Sequence, residues 1–138
     1  MDLLRIDSFY DSGGNLVPQL ITNHGTGNVV DVINHIQEQI SDRNNQNKKL
    51  NINQLRKFYD TFLKIYNNKS DEKEKKIQLL MLKANAEYSA KRLHTNRFKE
   101  FLANKIDLVI SKNDTDFIKN LKALKLHLEA LVAYYPKN

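Results

Sequence analysis

The side chains with the most versatile chemistry in this sequence are four histidines, and they are widely scattered. They are His24, His35, His94 and His127. Only Asp31 and His35 have the i,i+4 spacing that presents two metal ligands on one face of a helix. A surface ion pair is the commoner reason for that spacing, and neither an HExxH motif nor any cysteine accompanies it. We therefore predict no metal and no other cofactor.

The glycine and serine contexts give no catalytic motif either. Gly25-Thr26-Gly27 resembles the start of a dinucleotide-binding loop, but Val30 occupies the third glycine position, so a plain turn is the preferred interpretation. No GK[ST] phosphate loop is present, and no serine lies in a recognisable nucleophile context with a histidine and an acid. These observations predict a protein that is not itself an enzyme.

The charged residues are distributed unevenly along the chain, whose net charge is +6. Residues 1–47 carry two basic and six acidic side chains, whereas residues 48–125 carry 19 basic and 9 acidic ones. A surplus of ten positive charges in one segment indicates a domain that contacts a polyanion. The alternative is a lysine-rich helical surface that only keeps the protein in solution.

Basic residues within that segment recur at spacings that suit phosphate contact. Lys57 and Lys64 are two turns apart on one predicted helix face, with Arg56 beside them. A second group follows on and after the next predicted helix: Lys76, Lys83, Lys91, Arg92 and Arg97. Such groups give affinity without reading a base sequence. For any single lysine the alternative is a solvated face with an i,i+4 partner, such as Glu87 with Lys91.

The positions of glycine and proline divide the chain into an N-terminal lead and a helical remainder. The remainder contains the basic residues described above. All four glycines lie in residues 1–27, and Leu16–Thr22 between the turns is predicted to be extended, although Pro18 excludes a central strand. From Asn28 no glycine or proline follows until Pro136, so this stretch is predicted to be helical.

Apolar spacing divides the helical stretch into five predicted helices. They begin near Asn28, Ile52, Ser70 as N-cap, Phe98 and Asn113, and the first ends near Asp42. The third is separated from the fourth by a break at His94-Thr95-Asn96. The predicted core faces are Val29, Val32, Ile33, Ile36 and Ile40; Leu55, Phe58, Tyr59, Phe62 and Tyr66; Ile77, Leu80, Met81, Ala84 and Tyr88; Phe98, Phe101, Leu102, Ile106 and Val109; and Phe117, Leu121, Leu124, Leu128, Leu131 and Val132.

The fold class that follows is all-α, a five-helix bundle with an extended, glycine-containing N-terminal lead. A single helical domain is expected over residues 1–138, with the lead at 1–27 and the bundle at 28–136. The sequence has no apolar run of membrane-spanning length, its start is too acidic for a signal peptide, and it lacks cysteine. A cytoplasmic protein is expected.

Several segments together resemble the small-subunit family of type III-A CRISPR (Csm) effector complexes. They are NQLRKFY at 53–59, LKANAEYSAKR at 82–92 and LEALVAYY at 128–135, with YDSGGNLVP at 10–18 and LIT at 20–22 similar to the family's opening. Each segment is short, but the segments occur in the family's order and spacing, and together they extend over nearly the whole chain.

The resemblance implies a subunit that stacks in several copies along the guide RNA and target RNA duplex, beside the backbone ribonuclease subunit and the large subunit. Cleavage and signalling then belong to those other subunits. The resemblance implies RNA phosphate contact by the residues at matching positions, which are Arg56, Lys57, Lys83, Lys91 and Arg92. Lys64 and Arg97 complete the predicted RNA-binding set on the strength of their spacing alone. Glu129, Tyr134 and Tyr135 are expected to serve packing and subunit contact. The alternative is a helical protein–protein interaction adaptor that binds no nucleic acid.

Overall fold

The computed structural model describes residues 2–37, 50–93 and 95–137, without the side chain of Leu93. Within these residues it contains five α-helices and one 3-10 turn at Pro18–Leu20. The helices are α1 Val29–Gln37, α2 Ile52–Asn67, α3 Glu72–Leu93, α4 Asn96–Ile110 and α5 Asp114–Tyr134. The predicted all-α five-helix bundle is therefore confirmed. The predicted continuation of the first helix through Ile40 to Asp42, and His94 in the predicted break, lie outside the described residues.

The last helix, α5, lies at the centre of the bundle, in contact with α1, α2 and α4. Its buried side chains include the predicted Phe117, Leu121, Leu124, Leu128 and Leu131. The long helix α3 packs on the other side of α4 and against α2. The predicted core faces of α1, α4 and α5 are thus confirmed for the described residues, with Val132 only half-buried. Burial of these apolar faces is the main force that holds the helices together.

Short polar residues begin α1, α2 and α3, where their side chains satisfy unpaired N–H groups of the first turn. Asn51 and Gln54 form a capping box at α2, in which each side chain accepts the other residue's backbone N–H. At α3 the cap is Asp71, whose carboxylate accepts the Glu74 N–H at 2.8 Å. The prediction of Ser70 as this cap was wrong by one residue.

The buried face of α3 differs from the predicted one. Leu79, Leu82, Ala86 and Ala90 are buried, whereas the predicted core residues are exposed: Ile77 (49%), Leu80 (45%), Met81 (60%), Tyr88 (62%) and Ala84. Both sets recur at three- and four-residue intervals, so apolar periodicity does not distinguish the two faces of this helix. We call the exposed set, Ile77, Leu80, Met81, Ala84 and Tyr88, the α3 apolar stripe.

The lead folds back on itself through a tight turn. Tyr10 and Leu16 form an isolated antiparallel bridge, and Gly14 takes a φ of 81° in the turn between them. The following residues were predicted to be extended, but Pro18–Leu20 form the 3-10 turn. Proline favours this result because its fixed φ suits the first position of a helical turn.

Side chains of α4 and α5 attach the lead to the bundle through its backbone. The Lys105 amine donates to the Leu4 carbonyl at 2.8 Å, and the Asn104 amide makes hydrogen bonds with both the N–H and the carbonyl of Ile6. His127 Nδ1 lies 2.7 Å from the Leu20 carbonyl oxygen. Phe9 is 1% exposed, so the lead also supplies part of the core.

A lysine in the first turn of α3 closes the connection between α2 and α3. Lys75 Nζ donates to the carbonyls of Ile65, Tyr66 and Asn68 at 2.8, 2.8 and 3.0 Å. These carbonyls lie at the C-terminal end of α2, where a cation compensates both the unpaired acceptors and the helix dipole. The two helices are thereby fixed to each other at this end.

Candidate nucleic-acid interface

On α2, the predicted basic residues lie on the solvent side. Arg56, Lys57 and Lys64 are exposed, and none of them makes an ion pair with a described residue. Lys57 and Lys64 are seven residues apart, which places both on one face, as predicted. Arg56 lies about a quarter turn away on the same exposed side.

The basic residues of α3 do not share one surface. Lys83 and Arg92 are nine residues apart, about two and a half helical turns, and therefore lie on opposite sides of the helix. Lys83 faces α4 and forms an ion pair with Asp107 at 2.8 Å. Lys91 and Arg92 are exposed, and the Arg92 guanidinium lies 5.6 Å from the centre of the Tyr88 ring.

The groove that contains Lys83, between α3 and α4, has balanced charges. It encloses about 690 Å³, and its lining includes three basic residues, Arg5, Lys83 and Lys99, and three acidic ones, Glu87, Glu100 and Asp107. Lys99 pairs with Glu87 at 3.4 Å, so the suggested Glu87–Lys91 partnership is replaced by a contact to α4. A groove without net charge offers little attraction to a polyanion.

Two other predicted residues serve packing. Arg97, at the start of α4, donates to the His35 carbonyl at 2.9 Å and approaches the His35 ring nitrogen, which ties α4 to α1. Lys76 donates to the Asn113 side chain at 2.7 Å and pairs with Glu72, so it joins the starts of α3 and α5. Both cations are directed at protein groups.

The structure brings Lys57 and Arg92 together at a cleft between α2 and α3, which we call the α2–α3 cleft. It encloses about 360 Å³ and is lined by Leu50, Gln54, Lys57, Phe58, Thr61, Leu82, Asn85, Ser89, Arg92 and Thr95. None of these described residues is acidic. The cleft therefore combines two cations, several hydrogen-bonding side chains and one aromatic ring, which is a composition typical of RNA-binding surfaces.

The polar residues of this cleft were not singled out from the sequence. Asn85, Ser89 and Arg92 follow each other at four- and three-residue steps, and Gln54, Lys57 and Thr61 do the same on α2. Each set occupies one helix face, so this spacing was an available signal. The α3 apolar stripe obscures this signal, because its own three- and four-residue spacing predicts a core on another face of α3.

Tyr135, which follows α5, is bound to Leu50, one of the residues that line the cleft. It is 3% exposed, and its hydroxyl donates to the carbonyl of Leu50 at 2.7 Å. Burial raises the pKa of the Tyr135 phenol to about 12, so the hydroxyl keeps its proton. The predicted packing role of Tyr135 is confirmed, whereas Glu129 is exposed and near Lys125, and Tyr134 is 43% exposed.

The histidines do not form a metal site in the described part of the chain. Asp31 accepts the backbone N–H of Gly27 at 3.0 Å, and His35 contacts Arg97. No group of three or more potential ligands occurs among the described residues. Gly25 and Gly27 take φ values of 88° and 77° in a turn before α1, as the preferred interpretation of that motif expected.

No described helix is long and apolar enough to cross a membrane.

A sequence model of the family described as Csm2 Type III-A matches residues 28–137. The match spans all five helices and both walls of the α2–α3 cleft. No curated protein and no solved structure matches the chain.

Proposed function

The chain belongs to the Csm2 Type III-A family, small subunits of type III-A CRISPR effector complexes, and from this premise we propose that it is a non-catalytic, RNA-contacting subunit. Several copies stack along the guide RNA and target RNA duplex and support target RNA binding in antiviral defence. The backbone ribonuclease subunit and the large subunit are its protein partners.

The observation that carries the RNA contact is the α2–α3 cleft with its surroundings. Lys57 and Arg92 meet there without an acidic neighbour in the cleft lining, and Arg56, Lys64 and Lys91 add exposed cations on the same two helices. Phosphate contacts from such residues are independent of base sequence, which a subunit that accompanies an arbitrary guide RNA requires. The proposed set therefore differs from the predicted one, since Lys83 and Arg97 are engaged with protein groups.

Co-purification with the other subunits and a guide RNA tests this proposal. We expect a variant with Arg56, Lys57, Lys64, Lys91 and Arg92 all changed to alanine to assemble but to retain less target RNA. The matched control is Lys83→Ala, which removes a lysine of the same helix whose charge Asp107 already neutralises. Equal RNA retention by the five-residue variant and the wild type would contradict the proposal.

Salt dependence gives a second measurement. Each phosphate contact that is lost reduces the slope of log affinity against log salt concentration by about 0.7 to 0.9. We expect Lys57→Ala and Arg92→Ala to lower this slope and Lys83→Ala to leave it unchanged.

The α3 apolar stripe favours a second candidate function, the protein–protein adaptor. Apolar side chains exposed together on a helix face mark contact with another protein more often than isolated ones do. Another subunit of the complex is the occupant we assign to this stripe. An adaptor that uses only this surface would bind its partner with little response to salt and would bind no RNA. The salt titration described above therefore distinguishes the two functions.

A further inference from the structure

The polar side chains inside the α2–α3 cleft have unused hydrogen-bonding groups. Asn85 and Ser89 make no hydrogen bond with a described residue, so the amide and the hydroxyl both remain available. Gln54 uses its side-chain oxygen to accept the Asn51 N–H at 2.9 Å, which leaves the two protons of its amide nitrogen. The Thr61 hydroxyl is committed, because it donates to the Lys57 carbonyl at 3.0 Å. The cleft thus offers donors and acceptors side by side.

This mixture matches the edge of a nucleobase better than it matches a phosphate. Phosphate oxygens only accept hydrogen bonds, so the acceptor oxygen of Asn85 would gain nothing from one. A base edge presents donors and acceptors next to each other, and side-chain amides pair with such edges in two-bond contacts. The two cations that would suit phosphates, Lys57 and Arg92, are available on either helix for the nucleotide's backbone.

The cleft is large enough to hold one base. Its volume of about 360 Å³ is at the lower end of the range of about 300 to 1,000 Å³ that small-molecule sites occupy. Phe58 supplies an aromatic wall and is itself held by the Phe98 ring, with the two centroids 5.0 Å apart. A ring fixed in this way is a surface on which a base can stack.

We infer that the α2–α3 cleft accepts one unstacked RNA base, with Asn85 and Ser89 on its edge and Lys57 and Arg92 on the flanking phosphates. The inference rests on the proposed RNA contact and adds which part of the RNA enters the protein. It requires an unpaired nucleotide, because the bases of an intact duplex are stacked and their edges are paired. An acidic peptide is the competing ligand for two cations, and it is an outcome of the test below.

The test compares two RNA duplexes that differ in one nucleotide. One is fully paired, and the other carries a single bulged 2-aminopurine, whose fluorescence reports how it is stacked. We expect the full-length protein to bind the bulged duplex about tenfold more tightly than the paired one, and to change the fluorescence of the bulge.

Three variants separate the contributions. Asn85→Ala should remove most of the preference for the bulged duplex by lowering affinity for that duplex. Because Asn85 is an exposed residue of α3 and alanine favours helix, this variant should fold, which circular dichroism would confirm. Lys64→Ala, outside the cleft lining, should weaken binding of both duplexes equally, and Lys83→Ala should change neither.

The outcomes distinguish the inference from the function on which it rests. Equal affinity for both duplexes, unaltered by Asn85→Ala, would overturn the base site and leave RNA contact standing. Absence of binding to either duplex would overturn both. Binding of a polyglutamate peptide that Asn85→Ala abolishes, without RNA binding, would assign the cleft to a protein partner instead.

Discussion

Two buried ionisable side chains, Lys105 and His127, make the attachment of the lead sensitive to pH. Burial lowers the pKa of His127 to about 4, against the effect of its hydrogen bond to Leu20 and with a small contribution from the charge of Lys105. Burial also lowers the pKa of Lys105 to about 7, opposed by the charge of Asp2. Both side chains therefore lose their protons at a lower pH in the folded protein than in the unfolded chain. Near neutral pH the folded state contains the neutral imidazole of His127.

The His127 shift predicts a loss of stability in weak acid. The unfolded chain binds a proton below pH 6.5 and the folded protein only below about 4, so the free energy of unfolding falls as pH decreases through this range. The expected loss is roughly 3 kcal/mol. Urea unfolding at pH 6.5 and pH 4.5 should show about 2 kcal/mol of this loss, the part that falls between those two pH values. His127→Asn puts an amide nitrogen in the place of Nδ1 as a donor for the Leu20 carbonyl, without the titration, and an equally steep decrease in this variant would contradict the assignment.

The Lys105 shift predicts a gain of stability in weak base. Because the unfolded amine stays protonated up to about pH 10.5 while the folded one loses its proton near 7, the free energy of unfolding rises between these values. We expect a gain of about 2 kcal/mol between pH 7 and pH 9, below the range in which tyrosines titrate. Lys105→Met, which is similar in volume, should be less stable than the wild type at pH 9 and show no such rise. A rise of the same size in the variant would exclude Lys105 as its source.

Neither residue could have been recognised from the sequence as a structural anchor. Lys105 lies among the apolar residues of α4, and the carbonyl that it binds is 101 residues away. His127 is similarly separated from Leu20 by 107 residues. Local spacing carries no information about such partners, since only the tertiary fold places them together.

At the scale of elements, the sequence pattern predicts where the helices begin and end, but it does not predict which face of α3 is buried. The bounds of α2 to α5 were predicted to within a few residues, because caps and the absence of glycine and proline are local signals. The buried face of α3 was predicted wrongly because apolar residues lie on two of its sides. The choice between those sides is made by α2 and α4, which cover only one of them.

Adjacent residues of α3 allow this assignment to be tested. Leu82 is 2% exposed and Met81 is 60% exposed. Leu82→Ala should lower the free energy of unfolding by about 2 to 5 kcal/mol, because it leaves a cavity in the core. Met81→Ala should change it by less than about 0.5 kcal/mol. Urea unfolding of the two variants measures both values, and the reverse order would restore the face that the sequence predicted.

At the scale of the molecule, we propose that the lead and the helices unfold as one unit, the single domain that the sequence predicts. The lead contributes Leu4, Phe9 and Leu20 to the same buried cluster as the helices, and α4 and α5 hold its backbone. Contacts of this kind couple the lead to the rest of the core.

A substitution in the lead should therefore lower the stability of the whole protein. Phe9→Ala should lower the free energy of unfolding by about 3 to 5 kcal/mol, in one transition that helix content and tyrosine absorbance report at the same urea concentration. Amide hydrogen exchange in α5 should accelerate together with that in the lead. A variant in which only the amides of the lead lose protection would show that the lead unfolds separately.

The bond from Lys75 to the end of α2 has a mechanical consequence. Lys75 pins the two helices where the chain turns from one to the other, whereas the α2–α3 cleft lies toward their far ends. At the opposite end of α2, the Leu50 carbonyl accepts the hydroxyl of Tyr135, which follows α5. Helix α2 is therefore held at both ends, to α3 at one and to the end of α5 at the other, by two side chains that lie 60 residues apart along the chain.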